Sequence, residues 1–314
     1  MPPKILVISG PTASGKTRLA VELALRHGGE VVSADSMQVY RRMDIGTAKP
    51  TPEEMRGIPH HMLDVADPEE DFSVARYVEL AAPCVDDILA RGKLPIVAGG
   101  TGLYLDSLLS GRTFAPFSPD GGLRARLEAR FDALGGEAML GELAAADPEA
   151  AARLHPNDRK RIVRALEVFQ QTGKTISQHN RETRALPLRY DALTLSLAFQ
   201  RREDMWARID RRVDEMMAAG LAEEVRALLD SGVPVRCTAM QAIGYKEMAA
   251  ALRGGGDVCA AAEEIKLRSR QYAKRQLTWL RHVPDVHWIE WENQRDFDAA
   301  LRISTEILTA HGLG

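Results

Sequence analysis

The first third of the chain alternates short apolar runs with helical patterns. The apolar runs lie at residues 5–8, 31–32 and 95–98. Between them, apolar residues at helical spacing predict one helix over residues 16–27 and another over residues 73–90. This alternation of strand and helix is typical of a parallel sheet with helices on both faces.

The rest of the chain is mostly helical in pattern. After a Pro-, Gly- and Ser-rich segment at 113–122, no strand candidate occurs until residues 193–199. Further helical patterns follow at 202–220, 221–229 and 260–281. We therefore predict an α/β fold with a P-loop NTPase-like parallel sheet flanked by helices and an inserted all-helical subdomain. The predicted domains are a core of residues 1–115 and 190–314 and an insertion of residues 116–189.

Composition adds limits to this picture. Hydrophobic residues at 45% and charged residues at 27% are ordinary for a soluble globular protein. No run approaches the roughly 20 apolar residues of a membrane span. The three cysteines, Cys84, Cys237 and Cys259, are odd in number and too far apart for a CxxC metal pair. A protein of the reducing cytoplasm is expected, without membrane attachment.

Charge is uneven along a chain whose net charge is −3. Residues 153–164 carry five basic residues against one acid, Asp158, and residues 266–281 carry six against none. Lys266, Arg270 and Lys274 recur every four residues and would share one helix face. Such a stripe is compatible either with a solvated helix face or with binding of RNA phosphates.

A phosphate-binding motif lies directly between the first strand and the first helix. Its pattern is G-x-x-x-x-G-K-[ST], formed by Gly10, Pro11, Thr12, Ala13, Ser14, Gly15, Lys16 and Thr17. The glycines let successive backbone N–H groups point at phosphate oxygens, and the helix N-terminus adds positive charge. Lys16 would neutralise the terminal phosphate, and the Thr17 hydroxyl would hold Mg²⁺.

The identity of the phosphorylated ligand is a separate question. Kinases and ATPases with this loop usually have an apolar strand that ends in a magnesium-binding acid. Here the strand at 95–98 ends in Gly99-Gly100-Thr101-Gly102, and residues 61–64, the other candidate, are short. ATP hydrolysis is therefore disfavoured, although the loop pattern alone would also suit ATP.

Six sequence blocks in order resemble the tRNA dimethylallyltransferase family, in its bacterial form. They are residues 10–17, 35–50, 99–104, 155–158, 239–245 and 274–279. The resemblance covers nearly the whole chain. It implies that the loop binds the diphosphate of dimethylallyl diphosphate and that the prenyl group is transferred to an adenine amine of tRNA, beside the anticodon on its 3′ side.

The resemblance also implies roles for individual residues. Asp35, at the end of the second strand, would be the general base, although an Asp there is also a common helix N-cap. Thr101 would lie beside the target nucleotide, with helix capping as its alternative, and its neighbouring glycines favour close approach of backbone to substrate. Arg208 would join Lys16 in stabilising the leaving diphosphate, with Arg212 ranked below it.

The implied contacts with tRNA are Asp35, Ser36, Met37, Gln38, Thr101, Arg159, Lys160, Arg161, Ile162, Val163, Met240, Gln241, Ala242, Ile243, Gly244, Tyr245, Lys274 and Arg275. Among them, the segment 240–245 offers an aromatic ring for base stacking. One departure is Arg42, which stands where the family has Gly. No C-terminal zinc finger pattern occurs, so Mg²⁺ is the only metal implied, and a monomer is expected.

Three other functions share some of these features. A prenyltransferase acting on free adenine nucleotide would need the loop and Asp35, but neither the basic patches nor the insertion. A small-molecule kinase would bind ATP tightly and release a phosphorylated product. An RNA-binding P-loop switch would show nucleotide-dependent RNA affinity without changing the RNA.

Overall fold

The structure is a computed structural model that describes residues 2–112, 114, 122–291 and 297–313. By their contacts, these residues divide into two compact units. One consists of Met1–Leu109 with Arg189–Gly314, and the other of Ser110–Leu188. The predicted boundary between residues 115 and 116 lies outside the described residues.

The described part of the first unit is built on a six-stranded sheet in the order β3-β2-β4-β1-β5-β6. All of its pairings are parallel, which confirms the predicted α/β class. The edge strand β6 was not predicted, and β3 had only a weak signal. The strands are β1 (Lys4–Ser9), β2 (Gly29–Ser33), β3 (His60–His61), β4 (Leu94–Ala98), β5 (Asp191–Phe199) and β6 (Val286–Trp291).

Helices make up most of the rest of the described chain. Those of the first unit are α1 (Lys16–His27), α2 (Pro52–Met55), α3 (Val74–Ala90), α4 (Gly102–Leu109), α9 (Arg202–Ala218), α10 (Leu221–Asp230), α11 (Tyr245–Gly254), α12 (Val258–Leu280) and α13 (Phe297–Ala310). Those of the second unit are α5 (Gly122–Ala146), α6 (Pro148–Ala151), α7 (Arg159–Thr172) and α8 (Ile176–Arg184). In the part of the chain that the structure describes, no helix is both long and apolar enough to cross a membrane.

The core of the first unit fixes where the loops after the strands meet. Leu6 and Ile8 of β1 pack with Leu19 and Leu23 of α1 and with Ile96 of β4, all fully buried. Since β1, β2 and β4 are parallel neighbours, their carboxyl ends meet at one edge of the sheet. That edge is where open α/β sheets place their ligands.

The second unit has its own apolar core. Leu127, Met139, Leu143 and Leu166 are buried there at 0–1% exposure. Its longest helix, α5, is interrupted at Gly135, whose φ of +80° and ψ of 166° are not helical. Among the described residues of this unit the secondary structure is helical throughout.

Candidate active site

The loop from β1 to α1 surrounds an open helix N-terminus. Gly10, Ala13 and Gly15 have positive φ values of +142°, +63° and +91°. A Cβ on Gly10 would lie 2.6 Å from the Leu197 carbonyl oxygen, so only glycine fits there. Helix α1 begins after Gly15 without a side-chain cap. Uncapped N–H groups at a helix start form a site for an anion.

Lys16 lies folded over this loop. Its Nζ donates to the carbonyl oxygens of Gly10 at 3.0 Å and Pro11 at 2.8 Å. Burial, helped by the positive charge of Arg212, lowers the pKa of Lys16 to about 7, while the Asp35 carboxylate opposes that shift. An anion bound in the loop would favour the charged form of Lys16.

Asp35 lies two residues after β2 in an Asx turn. Its Oδ1 accepts hydrogen bonds from the N–H groups of Met37 at 2.8 Å and Gln38 at 3.4 Å. The next helix, α2, begins only at Pro52, so the N-cap alternative does not describe this residue. The carboxyl group lines the same cleft as Lys16.

Thr101 joins the loop after β4 to the loop after β2. Its Oγ1 accepts from the Ser36 N–H at 3.1 Å and donates to the Ser36 Oγ at 3.4 Å. Its own N–H donates to the Ala34 carbonyl at 3.2 Å. Tyr272 of α12 lies close to Thr101. These contacts hold the Thr101 hydroxyl close to the Asp35 turn.

The glycines around Thr101 pack closely against other segments of the chain. A Cβ on Gly99 would lie 2.2 Å from the Ala34 oxygen, one on Gly100 2.1 Å from Gln276 Nε2, and one on Gly102 2.3 Å from the Trp279 ring. Such distances are far below van der Waals contact. The glycines are therefore needed for packing within the chain, and since Gly99 and Gly100 also line the cleft, close approach of their backbone to substrate stays a prediction.

Gln276 is a site residue to which the sequence analysis assigned no role. Its side chain is 7% exposed. Its Oε1 accepts from the Thr12 N–H at 2.8 Å, and its Nε2 donates to the Gly100 oxygen at 3.0 Å. One amide from α12 therefore couples the phosphate loop to the segment that precedes Thr101.

Two arginines of α9 lie in the same cleft as the phosphate loop. Arg208 and Arg212 are one helical turn apart, and both line the cleft. The Arg208 Nε is buried without a hydrogen-bond partner among the described residues. Burial lowers the pKa of Arg212, and the carboxylates of Asp35, Glu54 and Glu215 oppose this. Although the sequence ranked Arg212 below Arg208, the structure places both beside the loop.

These groups share one cleft of about 560 Å³. Thr17 lies in its wall, directly after Lys16, and its hydroxyl would be the ligand that this chain offers to Mg²⁺. Apolar wall comes from Ile45, Ala48, Pro50 and Met216. A charged floor with an apolar wall suits a ligand that has a phosphate head and a hydrocarbon part.

The predicted basic stripe on α12 is largely neutralised within the protein. Lys266 forms ion pairs with Asp214 at 2.7 Å and Glu263 at 2.8 Å, and Arg270 pairs with Asp210 at 2.8 Å. The third residue of the stripe, Lys274, is exposed, and so is the adjacent Arg275. Lys266 and Arg270 therefore join α12 to α9 through Asp214 and Asp210, and contact of this helix with RNA phosphates stays a prediction.

The segment 159–163 presents charge from only some of its residues. Lys160 and Arg161 are exposed, and Arg159 pairs with Asp132. Ile162 and Val163 are buried at 0% and 1% exposure in the core of the helical unit. Their side chains are thus unavailable to RNA, which corrects the prediction for these two residues.

The segment 240–245 is mostly interior. Met240 and Tyr245 are fully buried, and Ala242 and Gly244 are also buried. The Tyr245 hydroxyl donates to Glu224 at 2.5 Å. Because the ring is buried, it is not available for base stacking, and the prediction that it stacks on a base is corrected. Gln241 is exposed and Ile243 half-buried, which leaves these side chains as the accessible part.

Arg42 occupies a strained turn. Its φ is +65°, a conformation that glycine adopts without strain. Its guanidinium donates to Glu69 at 3.0 Å and to the Ser231 Oγ at 3.0 Å, so the cation is held by the protein. The side chains of Arg42 and Glu69 are both roughly half exposed, so their ion pair contributes little to stability.

Arg42→Gly is therefore expected to be more stable than Arg42→Ala. Both variants lose the ion pair, but only alanine keeps the left-handed strain. The free energies of unfolding should differ by about 1 kcal/mol in favour of glycine. Urea denaturation of the two variants measures this, and equal stabilities would show that the turn is not strained.

Comparison with known proteins agrees with the geometry. The model of the IPP transferase family matches residues 38–283, and that of the isopentenyl transferase family matches residues 3–70. The tRNA dimethylallyltransferase 1 of Trichlorobacter lovleyi is 50% identical over 301 residues, 96% of this chain and 98% of that protein. The tRNA dimethylallyltransferase of Acetivibrio thermocellus is 47% identical over 299 residues, 95% of this chain and 94% of that one.

Solved structures share the fold. The tRNA isopentenylpyrophosphate transferase of Bacillus halodurans has a TM-score of 0.72 and 42% identity, covering 99% of this chain and 96% of that chain. A eukaryotic dimethylallyltransferase that acts on tRNA has a TM-score of 0.82 and 30% identity, covering 98% of this chain and 80% of that chain. The chain therefore belongs to the IPP transferase family, together with these tRNA dimethylallyltransferases.

Proposed function

We infer that this protein transfers a dimethylallyl group from dimethylallyl diphosphate to the exocyclic amine of an adenosine in tRNA. The adenosine is the one beside the anticodon on its 3′ side. The observation that carries the inference is the Asp35 carboxylate in the same cleft as Lys16 and the phosphate loop. A proton acceptor and a diphosphate cradle are the two groups that this transfer needs from the protein.

The reaction exchanges one bond for another. The amine nitrogen of adenine attacks the first carbon of the prenyl group, and a C–N bond forms as the C–O bond to diphosphate breaks. The bonding electron pair leaves with the diphosphate. The Asp35 carboxylate accepts the proton that the amine loses. The target base would have to leave the loop stack to enter the cleft.

Negative charge grows on the leaving diphosphate. Lys16 and the N–H groups at the start of α1 would stabilise it together with Arg208 and Arg212 of α9. Thr17 would hold Mg²⁺, which neutralises phosphate charge when bound. Because these donors are fixed by the fold before the reaction, little reorganisation is needed as the charge develops.

A kinase or ATPase function is less well supported by this cleft. Strand β4, next to β1, is followed by Gly99 and Gly100 at the place where such enzymes carry a magnesium-binding acid. We propose that the diphosphate of the prenyl donor, not ATP, occupies the loop during turnover. A monomer in the cytoplasm remains the expected state.

The test is incubation of the purified protein with labelled dimethylallyl diphosphate, Mg²⁺ and unmodified tRNA. Label should enter tRNA that has adenosine beside the anticodon and should not enter the same tRNA with guanosine at that position. Label in free AMP would instead support the nucleotide prenyltransferase. Consumption of ATP without labelled RNA would support a kinase or switch.

A further inference from the structure

A single carboxylate joins two segments to which the mechanism gives no role, the turn at residues 44–46 and Tyr245. Glu224, on α10, accepts hydrogen bonds from three successive backbone N–H groups: Asp44 at 2.9 Å, Ile45 at 2.8 Å and Gly46 at 3.1 Å. It also accepts from the Tyr245 hydroxyl at 2.5 Å. The turn at 44–48 and the start of α11 are thereby fastened to the same side chain.

The packing around this carboxylate leaves little freedom. A Cβ on Gly46 would lie 2.5 Å from the Tyr245 ring and 2.9 Å from Leu221, so the turn lies directly on α10 and α11. The turn is also closed internally, because the Ala48 N–H donates to the Ile45 oxygen at 3.0 Å. Movement of the turn would require breaking several of these contacts together.

The opposite side of the turn holds a residue of the cleft. The carbonyl oxygens of Thr47 and Ala48 accept from Gln38 Nε2 at 3.3 and 3.2 Å. The Gln38 Oε1 accepts from the Ser33 Oγ at 3.0 Å. Both hydrogens of the amide are therefore used, and a lone pair on Oε1 remains for a ligand. Gln38 lines the cleft near Asp35, whose Oδ1 accepts from its N–H.

We propose that Glu224 is a positioning residue for the RNA substrate. Its carboxylate fixes the turn at 44–48, and the turn orients the Gln38 amide as a hydrogen-bond acceptor toward the incoming nucleotide. The phosphate loop is held separately, by Gln276. Glu224 therefore acts on recognition of the RNA and not on binding of the diphosphate, an inference that rests on the proposed transfer to tRNA.

Glu224→Gln tests this with almost no change of shape. One oxygen becomes an NH₂ group, so at least one backbone N–H of the turn faces a donor instead of an acceptor. The KM for tRNA should rise about tenfold, the equivalent of one lost hydrogen bond to a charged group. The KM for dimethylallyl diphosphate should rise by less, because the phosphate loop that holds its diphosphate is fixed by Gln276 and, of the apolar wall, only the side chains of Ile45 and Ala48 belong to the turn. Glu223→Gln is the matched control, because it makes the same charge change on an exposed residue of α10, and it should leave both constants unchanged.

A double-mutant cycle tests the route through Gln38. In a Gln38→Ala background, Glu224→Gln should add little to the KM for tRNA, because the residue it positions is already gone. Tyr245→Phe removes one of the four hydrogen bonds that Glu224 accepts and should raise the KM for tRNA two- to threefold. This variant replaces Glu224→Gln in the test if Glu224→Gln does not fold.

An unchanged KM for tRNA in a folded Glu224→Gln protein would overturn the proposal. So would an equal rise in both KM values or full additivity with Gln38→Ala. Absence of RNA transfer by the native protein would instead refute the proposed function.

Discussion

Asp35→Asn is expected to lower kcat by about 10²–10⁴, the usual contribution of a general base. Asparagine has nearly the same shape, and its Oδ1 can still accept from the Met37 N–H that closes the Asx turn. What it cannot do is take up the proton of the adenine amine. Fold and RNA affinity should therefore be retained while the chemical step slows. Single-turnover transfer of labelled prenyl to tRNA, with RNA binding measured separately, distinguishes these effects.

Asp44→Asn is the matched control for that experiment. Asp44 lies in the same cleft and is exposed, and its carboxylate pairs with Lys49 at 2.5 Å. Loss of its charge should leave the single-turnover rate close to the native value, because this carboxylate serves an ion pair within the protein. If Asp35→Asn kept a rate within tenfold of native, the proton acceptor would have to be another group.

The parts of the site that could be predicted from sequence are those specified by short segments. The phosphate loop is identified by its glycines, its lysine and the strand and helix on either side, all within a few residues. Asp35 could be placed because it lies two residues after the end of β2. Since β1, β2 and β4 are neighbours in the sheet, their loops meet, and the α/β class was enough to predict that juxtaposition.

What could not be predicted are contacts between distant segments. Gln276 reaches Thr12 across 264 positions, and Glu224 reaches the turn at 44–46 across about 180. The sequence carries no local signal for either, since a glutamine or glutamate in a helix is ordinary. The ion pairs of Lys266 with Asp214 and of Arg270 with Asp210 were missed for the same reason, because these two acids lie on α9.

Burial was the second source of error. Tyr245 and Ile162 were both predicted to contact tRNA, yet both are buried. A residue can belong to a family motif because it packs in the core, and the sequence alone does not separate such residues from those that contact RNA. The strand β6 was missed because its six residues follow a long helical pattern and lie at the sheet edge, where only one neighbour supports the strand.

Lys16→Met is expected to lower kcat/KM for dimethylallyl diphosphate by about 10²–10³, the range found when one donor to a developing anion is removed. Methionine has a similar length but no charge and no hydrogens to donate to the phosphate. It also abandons the contacts with the Gly10 and Pro11 oxygens that hold the side chain over the loop. Steady-state kinetics with the prenyl donor varied and tRNA in excess measures the loss, and RNA binding without the donor should not change.

Two further variants decide whether the loss comes from this position or from charge in general. Lys4→Met removes the same charge at the amino end of β1, the opposite end of the strand from the loop. It should leave kcat/KM for dimethylallyl diphosphate unchanged. Lys16→Arg keeps a cation, but its planar fork cannot reproduce the compact ammonium enclosed by the Gly10 and Pro11 oxygens, so it should recover only part of the activity. Full activity of Lys16→Met, or an equal loss with Lys4→Met, would show that the diphosphate does not bind in this loop. Partial recovery with arginine would show that positive charge at this position acts on the leaving group, since RNA binding would be the same in all three variants.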